Sequence, residues 1–257
     1  MSVAFKNISL SYKKKAILED ISFSIAKGEL LGIVGPNGSG KTTLMKLVAG
    51  DFMPSKGVIK YDDTELNGVP LLERAKYRSV MSQSQNIIFD FTVKEIIQMG
   101  VIGGYGLSNE KEVAKKIQHI IKLLDIEKLF FRSIQTLSGG EQQLVHFARA
   151  LIQIWEMSHY ETSKYIFLDE PTSNLDLKQE VKILDITKNE VRKGLGAMVI
   201  FHDLNLTAHY ADKVLMLSKG KIAAMGNPSD IFTSDTLEAV YGLKVKVLKK
   251  PFRIFYF

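Results

Sequence analysis

The sequence predicts an α/β fold in which a parallel sheet covered by helices is interrupted by a mostly helical segment. Short apolar runs of strand length, such as 29–34 and 165–169, alternate with helical patterns near both ends of the chain. Such alternation indicates parallel strands with helices on their faces. From about 88 to 160 the apolar residues recur three and four positions apart, which indicates helices.

Local patterns predict the elements of the first third. The segment 17–25 alternates apolar and polar residues at a period near two, which predicts a strand. We expect the opening strands to form an antiparallel N-terminal β subdomain. The continuous apolar run 29–34 predicts a buried parallel strand. The helical spacing at 42–50 predicts a helix that ends at Gly50. The pattern of residues 57–69 predicts a strand and a turn.

The remaining patterns predict the helical segment and a second set of strands. Two helices are expected at 94–100 and 111–126, with Gly100, Gly103, Gly104 and Gly106 breaking the chain between them. A third helix is expected after Gly140, running through Ala150. Further elements are an amphipathic helix at 179–194 and strands at 165–169, 198–202 and 214–218. We therefore expect a single domain over 1–257, with 1–87 and 161–257 as the α/β core and 88–160 as a helical subdomain.

Bulk composition excludes several classes of protein. The chain has 257 residues, 46% of them hydrophobic and 24% charged, and no cysteine. Disulfides and thiolate metal sites are therefore excluded. No apolar run reaches the roughly 18 residues that a membrane-spanning helix needs, and MSVAFKNISL lacks the pattern of a secretory signal. The net charge of +6 fits a solvated surface and does not by itself indicate nucleic-acid binding.

A glycine-rich string, GPNGSGKT at 35–42, lies between a predicted strand and a predicted helix. This setting is the one in which G-x-x-x-x-G-K-[ST] forms a phosphate-binding loop. Glycines let the backbone N–H groups turn inward, and the helix start adds its positive dipole end. Lys41 can reach the β- and γ-phosphates, and the Thr42 hydroxyl can ligate Mg²⁺. The string predicts a P-loop NTPase core that binds ATP with magnesium through Gly35, Pro36, Asn37, Gly38, Ser39, Gly40, Lys41, Thr42 and Thr43.

Two acidic residues follow the predicted strand at 165–169. Asp169 and Glu170 stand at its carboxyl end, which is where ligands bind in α/β sheets. Asp169 is expected to hold Mg²⁺ through a water, and Glu170 to act as general base on the attacking water. An acidic pair that caps the next helix is the alternative, and the glycine loop argues against it.

The string LSGGEQQ at 137–143 resembles the signature sequence of ATP-binding cassette (ABC) ATPases. The order of motifs along nearly the whole chain is also similar to that family. One departure is Leu144, where most relatives place an arginine, and it does not touch the phosphate-facing residues. The motifs in order are Tyr12, GPNGSGKT, Gln83 in RSVMSQSQ, LSGGE, YIFLDE, SNLD at 173–176 and His202 in FHDLN.

The resemblance implies a role for each motif residue. Tyr12 would stack on adenine, with a merely exposed strand residue as the alternative reading. Gln83 would reach the metal and the attacking water, and Gln85 in the same loop is its rival. His202 would donate to the γ-phosphate. The implied catalytic residues are Lys41, Gln83, Glu170 and His202, and the implied metal ligands are Thr42, Gln83 and Asp169.

A head-to-tail homodimer is also implied by the resemblance. The N-terminal N–H groups of the helix that Ser138 begins form an anion site. In the family this site caps the ATP of a second copy, and the loop carrying Asp176 crosses the interface. The residues implied in this contact are Ser138, Gly139, Gly140, Glu141 and Asp176.

Absent features narrow the kind of ABC ATPase that the chain resembles. Fused membrane helices, a long coiled coil and a second cassette are all missing from the sequence. We therefore expect a separate ATPase subunit that docks on two transmembrane permease subunits, indirectly serves a substrate-binding protein, and makes no direct contact with nucleic acid. Its expected place is the cytoplasmic face of the inner membrane, as a peripheral subunit.

The cargo is indicated by two segments. Residues 202–245 resemble importers of iron chelates, haem and cobalamin, and the insertion 152–164 resembles the ATPase subunit of bacterial haem importers. Haem import is the favoured interpretation. The alternatives are an iron-siderophore or cobalamin importer and, less favoured, a soluble ABC ATPase that acts on nucleic acid.

Overall fold

The computed structural model describes residues 2–13, 15–83, 87, 89–103, 110–155, 162–249 and 252–256. Its strands are β1 (Ser2–Tyr12), β2 (Lys15–Ala26), β3 (Leu30–Val34), β4 (Lys56–Tyr61), β5 (Thr64–Glu65), β6 (Arg78–Met81), β7 (Tyr165–Asp169), β8 (Gly196–Ile200), β9 (Lys213–Ser218), β10 (Lys221–Gly226), β11 (Val245–Lys249) and β12 (Phe252–Tyr256). Its α-helices are α1 (Lys41–Ala49), α2 (Leu71–Tyr77), α3 (Val93–Gly103), α4 (Glu110–Leu123), α5 (Gly139–Ile154), α6 (Leu177–Arg192), α7 (Leu204–Tyr210), α8 (Pro228–Ile231) and α9 (Ser234–Tyr241).

The chain divides into two compact units. The first joins Met1–Val69 to Gly196–Phe257, and the second is Pro70–Leu195. The expected boundaries of the helical subdomain, 88 and 160, stay a prediction.

The first unit contains an antiparallel sheet and a set of parallel strands. In the antiparallel sheet the order is β2-β1-β4-β5. Strand β3 pairs in parallel with both β8 and β9, and β10 adds to β9 as an antiparallel neighbour. All five residues of β3 and of β8 are buried, as expected for strands covered on both faces.

A C-terminal hairpin of β11 and β12 belongs to the same unit and lies against α7. The Asn205 side chain on α7 holds it through two backbone contacts. Its Oδ1 accepts from the Ile254 N–H at 2.9 Å, and its Nδ2 donates to the Ile254 carbonyl at 3.3 Å. Ile254 itself is buried. The hairpin therefore combines an apolar contact with a paired amide contact.

The second unit contains the parallel pair β6 and β7 and the helices α2 to α6. Helix α5 forms much of its core, because Leu144, Val145 and Phe147 are buried along one stretch of it. Helix α3 packs on α5, and α4 contacts both. The helical segment thus lies between two parallel strands in the chain order.

The predicted fold class is confirmed: parallel strands with helices, an antiparallel N-terminal sheet, and a helical insertion between β6 and β7. One local prediction was wrong. Gly100 does not break the chain but lies inside α3. A Cβ at this position would lie 2.3 Å from the carbonyl oxygen of Arg149 on α5. Close helix packing, not helix termination, explains this glycine.

Several elements had no predicted counterpart. Helix α2 exposes Leu71 and Leu72, so it lacks the apolar stripe by which helices are recognised. Helices α8 and α9 and the hairpin were also unpredicted. The predictions for Gly104, Gly106 and Gln85, and residues 156–161 of the insertion at 152–164, fall outside the described residues. Among the helices in the described part of the chain, none has the length and apolar character needed to cross a bilayer.

Candidate functional site

The glycine loop connects β3 to α1 in the first unit. Gly35, Gly38 and Gly40 all have positive φ angles, of 149°, 76° and 108°. At Gly35 space is restricted as well, since a Cβ would lie 2.2 Å from the carbonyl oxygen of Leu217. The loop conformation that the motif predicts is therefore adopted, and at residue 35 the backbone and its neighbours both require glycine.

Lys41 is buried at the start of α1, inside the curl of the loop. Its Nζ donates to the carbonyl oxygens of Gly35, at 2.7 Å, and Pro36, at 3.1 Å. The first turn of α1, all of it described, contains no acidic residue, and the N-cap Gly40 has no side chain to offer. Thr42 is exposed and Thr43 is half-buried. A cation, a helix N-terminus and an exposed hydroxyl together form a setting that attracts phosphate.

Tyr241 is a residue at the loop that sequence reasoning missed. Its hydroxyl accepts a hydrogen bond from the Gly35 backbone N–H, and burial raises the pKa of Tyr241 to about 12. Tyr241 is the last residue of α9, far from the glycine motif in sequence. No local pattern marks such a contact, because it depends on how α9 folds back within the unit.

The two other expected residues of the first unit lie at element ends. Tyr12 ends β1 with 65% of its surface exposed, and Lys13 Nζ lies 5.6 Å from its ring centroid. His202 is exposed between β8 and α7. Asp203 next to it caps α7 by accepting from the N–H groups of Asn205 and Leu206. Both aromatic rings are accessible, as their expected contacts with nucleotide require.

The second unit brings Gln83 and Glu170 together. Gln83 follows β6, and Glu170 follows Asp169 at the carboxyl end of the neighbouring parallel strand β7. The Gln83 Nε2 donates to the Glu170 Oε2 at 2.5 Å. Glu170 and Asp169 are both buried, which is unusual for carboxylates and indicates a specific role. Both residues thus lie at the edge of the parallel strands where ligands bind in α/β sheets.

The signature residues form the start of α5. Ser138 is its N-cap, and its Oγ accepts from the Glu141 N–H at 3.2 Å while the Glu141 Oε2 accepts from the Ser138 N–H at 2.8 Å. This reciprocal capping box fixes the helix start. Gly139 is exposed and Gly140 half-buried. Asp176 is likewise an N-cap, of α6, accepting from the Gln179 N–H at 2.8 Å.

Gln143 is a second residue that sequence reasoning did not single out. It lies on the buried side of α5, and its Nε2 donates to the backbone carbonyl of Glu170 at 3.1 Å. A polar residue on an apolar helix face is a signal that could have marked it. The expected site residues thus form two groups, one in each unit, and Tyr241 and Gln143 each join one of them.

Comparison with known proteins gives consistent results. The family model described as ABC transporter matches residues 18–173. The hemin import ATP-binding protein HmuV of Mesorhizobium japonicum is 36% identical over 94% of this chain and 92% of its own, and that of Escherichia coli O157:H7 is 37% identical over 97% and 95%. The solved "Dimeric Structure of MJ0796, a Bacterial ABC Transporter Cassette" is 25% identical with a TM-score of 0.77, over 88% of this chain and 98% of that one. The chain belongs to the ABC transporter family.

Proposed function

We propose that this protein is the ATP-hydrolysing subunit of a bacterial importer of haem (hemin). The observation that carries the proposal is the identity of 36–37%, over nearly the full length of both chains, to curated proteins named for hemin import. The buried Glu170 carboxylate beside Gln83, and the loop curled around Lys41, support the ATPase part.

Binding of ATP rests on the first unit. The loop at 35–42 offers inward N–H groups to the phosphates, and the Lys41 ammonium exchanges its two carbonyl contacts for phosphate oxygens. The positive end of the α1 dipole favours the same anion. Tyr12 offers its exposed ring to adenine, and His202 offers a ring N–H to the γ-phosphate.

Hydrolysis rests on Glu170. Water attacks the γ-phosphorus, the bond to the β–γ bridging oxygen breaks, and the water proton passes to the Glu170 carboxylate. The products are ADP and inorganic phosphate. Gln83 holds the Glu170 Oε2 through its amide, so the carboxylate keeps one orientation while its other oxygen accepts the proton.

Magnesium is the metal that the donor set fits. Mg²⁺ prefers oxygen ligands, and it usually keeps several waters beside one or two protein groups. The exposed Thr42 hydroxyl, the buried Asp169 carboxylate and the Gln83 amide oxygen are donors of that kind. When bound, the ion would neutralise charge on the phosphate oxygens.

Assembly follows from the same proposal. A head-to-tail homodimer would place the signature residues Ser138, Gly139, Gly140 and Glu141, with Asp176, against the ATP of the second copy. Two transmembrane permease subunits would bind the ATPase dimer at the cytoplasmic face of the inner membrane, and a substrate-binding protein would deliver haem to them. The exposed apolar residues Leu71, Leu72, Phe89 and Phe131 in the second unit support docking to another protein.

Two measurements test the proposal. Glu170→Gln is expected to retain ATP and to accumulate a dimer with little turnover, whereas Glu112→Gln, an exposed change on α4, should hydrolyse ATP normally. Normal hydrolysis by Glu170→Gln would overturn the general-base assignment.

In the reconstituted transporter, haem-loaded binding protein should stimulate ATP hydrolysis. Stimulation by siderophore-loaded or cobalamin-loaded protein and not by haem would overturn the cargo.

A further inference from the structure

Gln143 is a polar side chain in an apolar setting. It lies on α5 beside the buried Leu144 and Val145 and is itself buried. A buried amide without partners is costly, so its hydrogen bonds indicate why it is tolerated. Its Nε2 donates to the Glu170 carbonyl oxygen at 3.1 Å and lies 3.4 Å from the Ser173 Oγ.

The backbone that Gln143 contacts is strained. Glu170 has a φ of 53°, in the left-handed region that residues other than glycine seldom adopt. Such a conformation persists only where its surroundings hold it. The Glu170 carbonyl oxygen accepts from the Ser173 N–H, at 3.2 Å, as well as from Gln143. Two donors therefore fix the peptide that follows Glu170.

The Glu170 side chain is held separately. Its Oε2 accepts from the Gln83 Nε2, so Glu170 is restrained at its carboxylate by Gln83 and at its carbonyl by Gln143. Displacement of the carbonyl contact would rotate the backbone on which the carboxylate stands. An error of about 1 Å in such a group costs on the order of a hundredfold in rate.

Gln143 also belongs to the turn that starts α5. Gly139 lies four residues before it, one helical turn away on the same face. The capping box of Ser138 and Glu141 makes this turn a fixed unit. A shift of the signature turn therefore displaces the Gln143 amide with it.

We propose that Gln143 is a positioning residue for Glu170, which ties the placement of that carboxylate to the start of the signature helix. The inference rests on the proposed function, because it takes Glu170 as the group that activates water. It goes beyond that function because it links two parts of the same subunit. The start of the signature helix would cap the partner's ATP, and Glu170 would hydrolyse the ATP bound by its own subunit. Capture of one ATP and readiness to hydrolyse the other are thereby connected within one subunit.

The chain provides a matched control on the same helix. Gln153 lies near the other end of α5, and its Nε2 donates to the carbonyl oxygens of Ala75, at 3.0 Å, and Arg78, at 2.9 Å. Methionine has nearly the length of glutamine and no amide. Gln143→Met and Gln153→Met therefore both remove an amide that donates to backbone carbonyls, and only the first removes a contact to Glu170.

The experiment measures steady-state ATP hydrolysis and thermal unfolding of the full chain. Gln143→Met is expected to lower kcat at least about tenfold with KM for ATP within about twofold of wild type. Gln153→Met should lower the melting temperature similarly and keep kcat. Gln143→Asn keeps an amide but withdraws it by one methylene, and should lower kcat with a smaller loss of stability.

The outcomes distinguish a failure of the positioning role of Gln143 from a failure of the proposed function. If Glu170→Gln is inactive while Gln143→Met and Gln143→Asn keep the wild-type kcat, the positioning role is wrong and the proposed function stands. An equal loss of kcat in Gln153→Met would mean a general structural effect and would also overturn it. If Glu170→Gln itself turns over normally, the general-base assignment fails and the inference fails with it.

Discussion

Acid is expected to destabilise the fold through His146, a buried histidine on α5. Burial lowers the pKa of His146 from 6.5 to about 4, and the nearby Arg149 charge adds to the effect. Between those two values the unfolded chain binds a proton at this site and the folded chain does not. The stability that neutral His146 contributes is therefore complete above pH 6.5 and is lost as the pH falls towards 4. The difference between these two pKa values corresponds to about 3 kcal/mol of stability.

Denaturant unfolding of the wild type and of His146→Gln, measured at intervals from pH 8 to pH 4, tests this value. The difference in free energy of unfolding between the two proteins should move by about 3 kcal/mol in favour of the variant as the pH falls. Every other titrating group is shared by the two proteins, so its contribution cancels in the difference. A difference that stays constant over the whole range would refute the reasoning, whatever its size.

Two further predictions concern packing and the phosphate loop. Gly100→Ala should lower the free energy of unfolding by about 1–3 kcal/mol, because the clash with the Arg149 carbonyl outweighs a gain in helix propensity of at most about 1 kcal/mol. Denaturant unfolding measures this change. The control is Gly68→Ala, where a Cβ meets nothing within 4 Å. A Gly100→Ala protein as stable as wild type would contradict this. Lys41→Ala should weaken ATP binding about thirtyfold, a loss of about 2 kcal/mol, by titration calorimetry. An equal loss in Lys46→Ala, an exposed change on the same helix, would show that Lys41 has no special role.

Local chemistry explains what could be predicted from the sequence. The loop at 35–42 requires glycines at defined spacing, and the apolar run before Asp169 requires a buried strand. Both patterns lie within about ten residues, so periodicity and spacing detect them. The start of α5 at Ser138 was equally accessible, because a serine followed by a glutamate three positions later marks a capping box.

Features that depend on contacts distant in sequence could not be predicted. Gly100 has the local appearance of a helix breaker, and only the carbonyl of Arg149, 49 positions later, shows that it serves close packing. The amide of Gln143 meets the Glu170 carbonyl because α5 and the end of β7 fold together. Helix α2 could not be predicted because its exposed leucines, Leu71 and Leu72, give no apolar periodicity. Contacts of these kinds are determined by tertiary packing and not by local propensity.

The left-handed backbone of Glu170 has a consequence for selection and for protein engineering. Glycine would relieve roughly 1 kcal/mol of strain at this position, because it has no Cβ to oppose a φ of 53°. Backbone conformation alone would therefore favour glycine at 170, whereas the proposed activation of water requires the Glu170 carboxylate. Backbone strain and the proposed catalytic role oppose each other at this residue, so relief of strain alone is a misleading criterion for improving this chain.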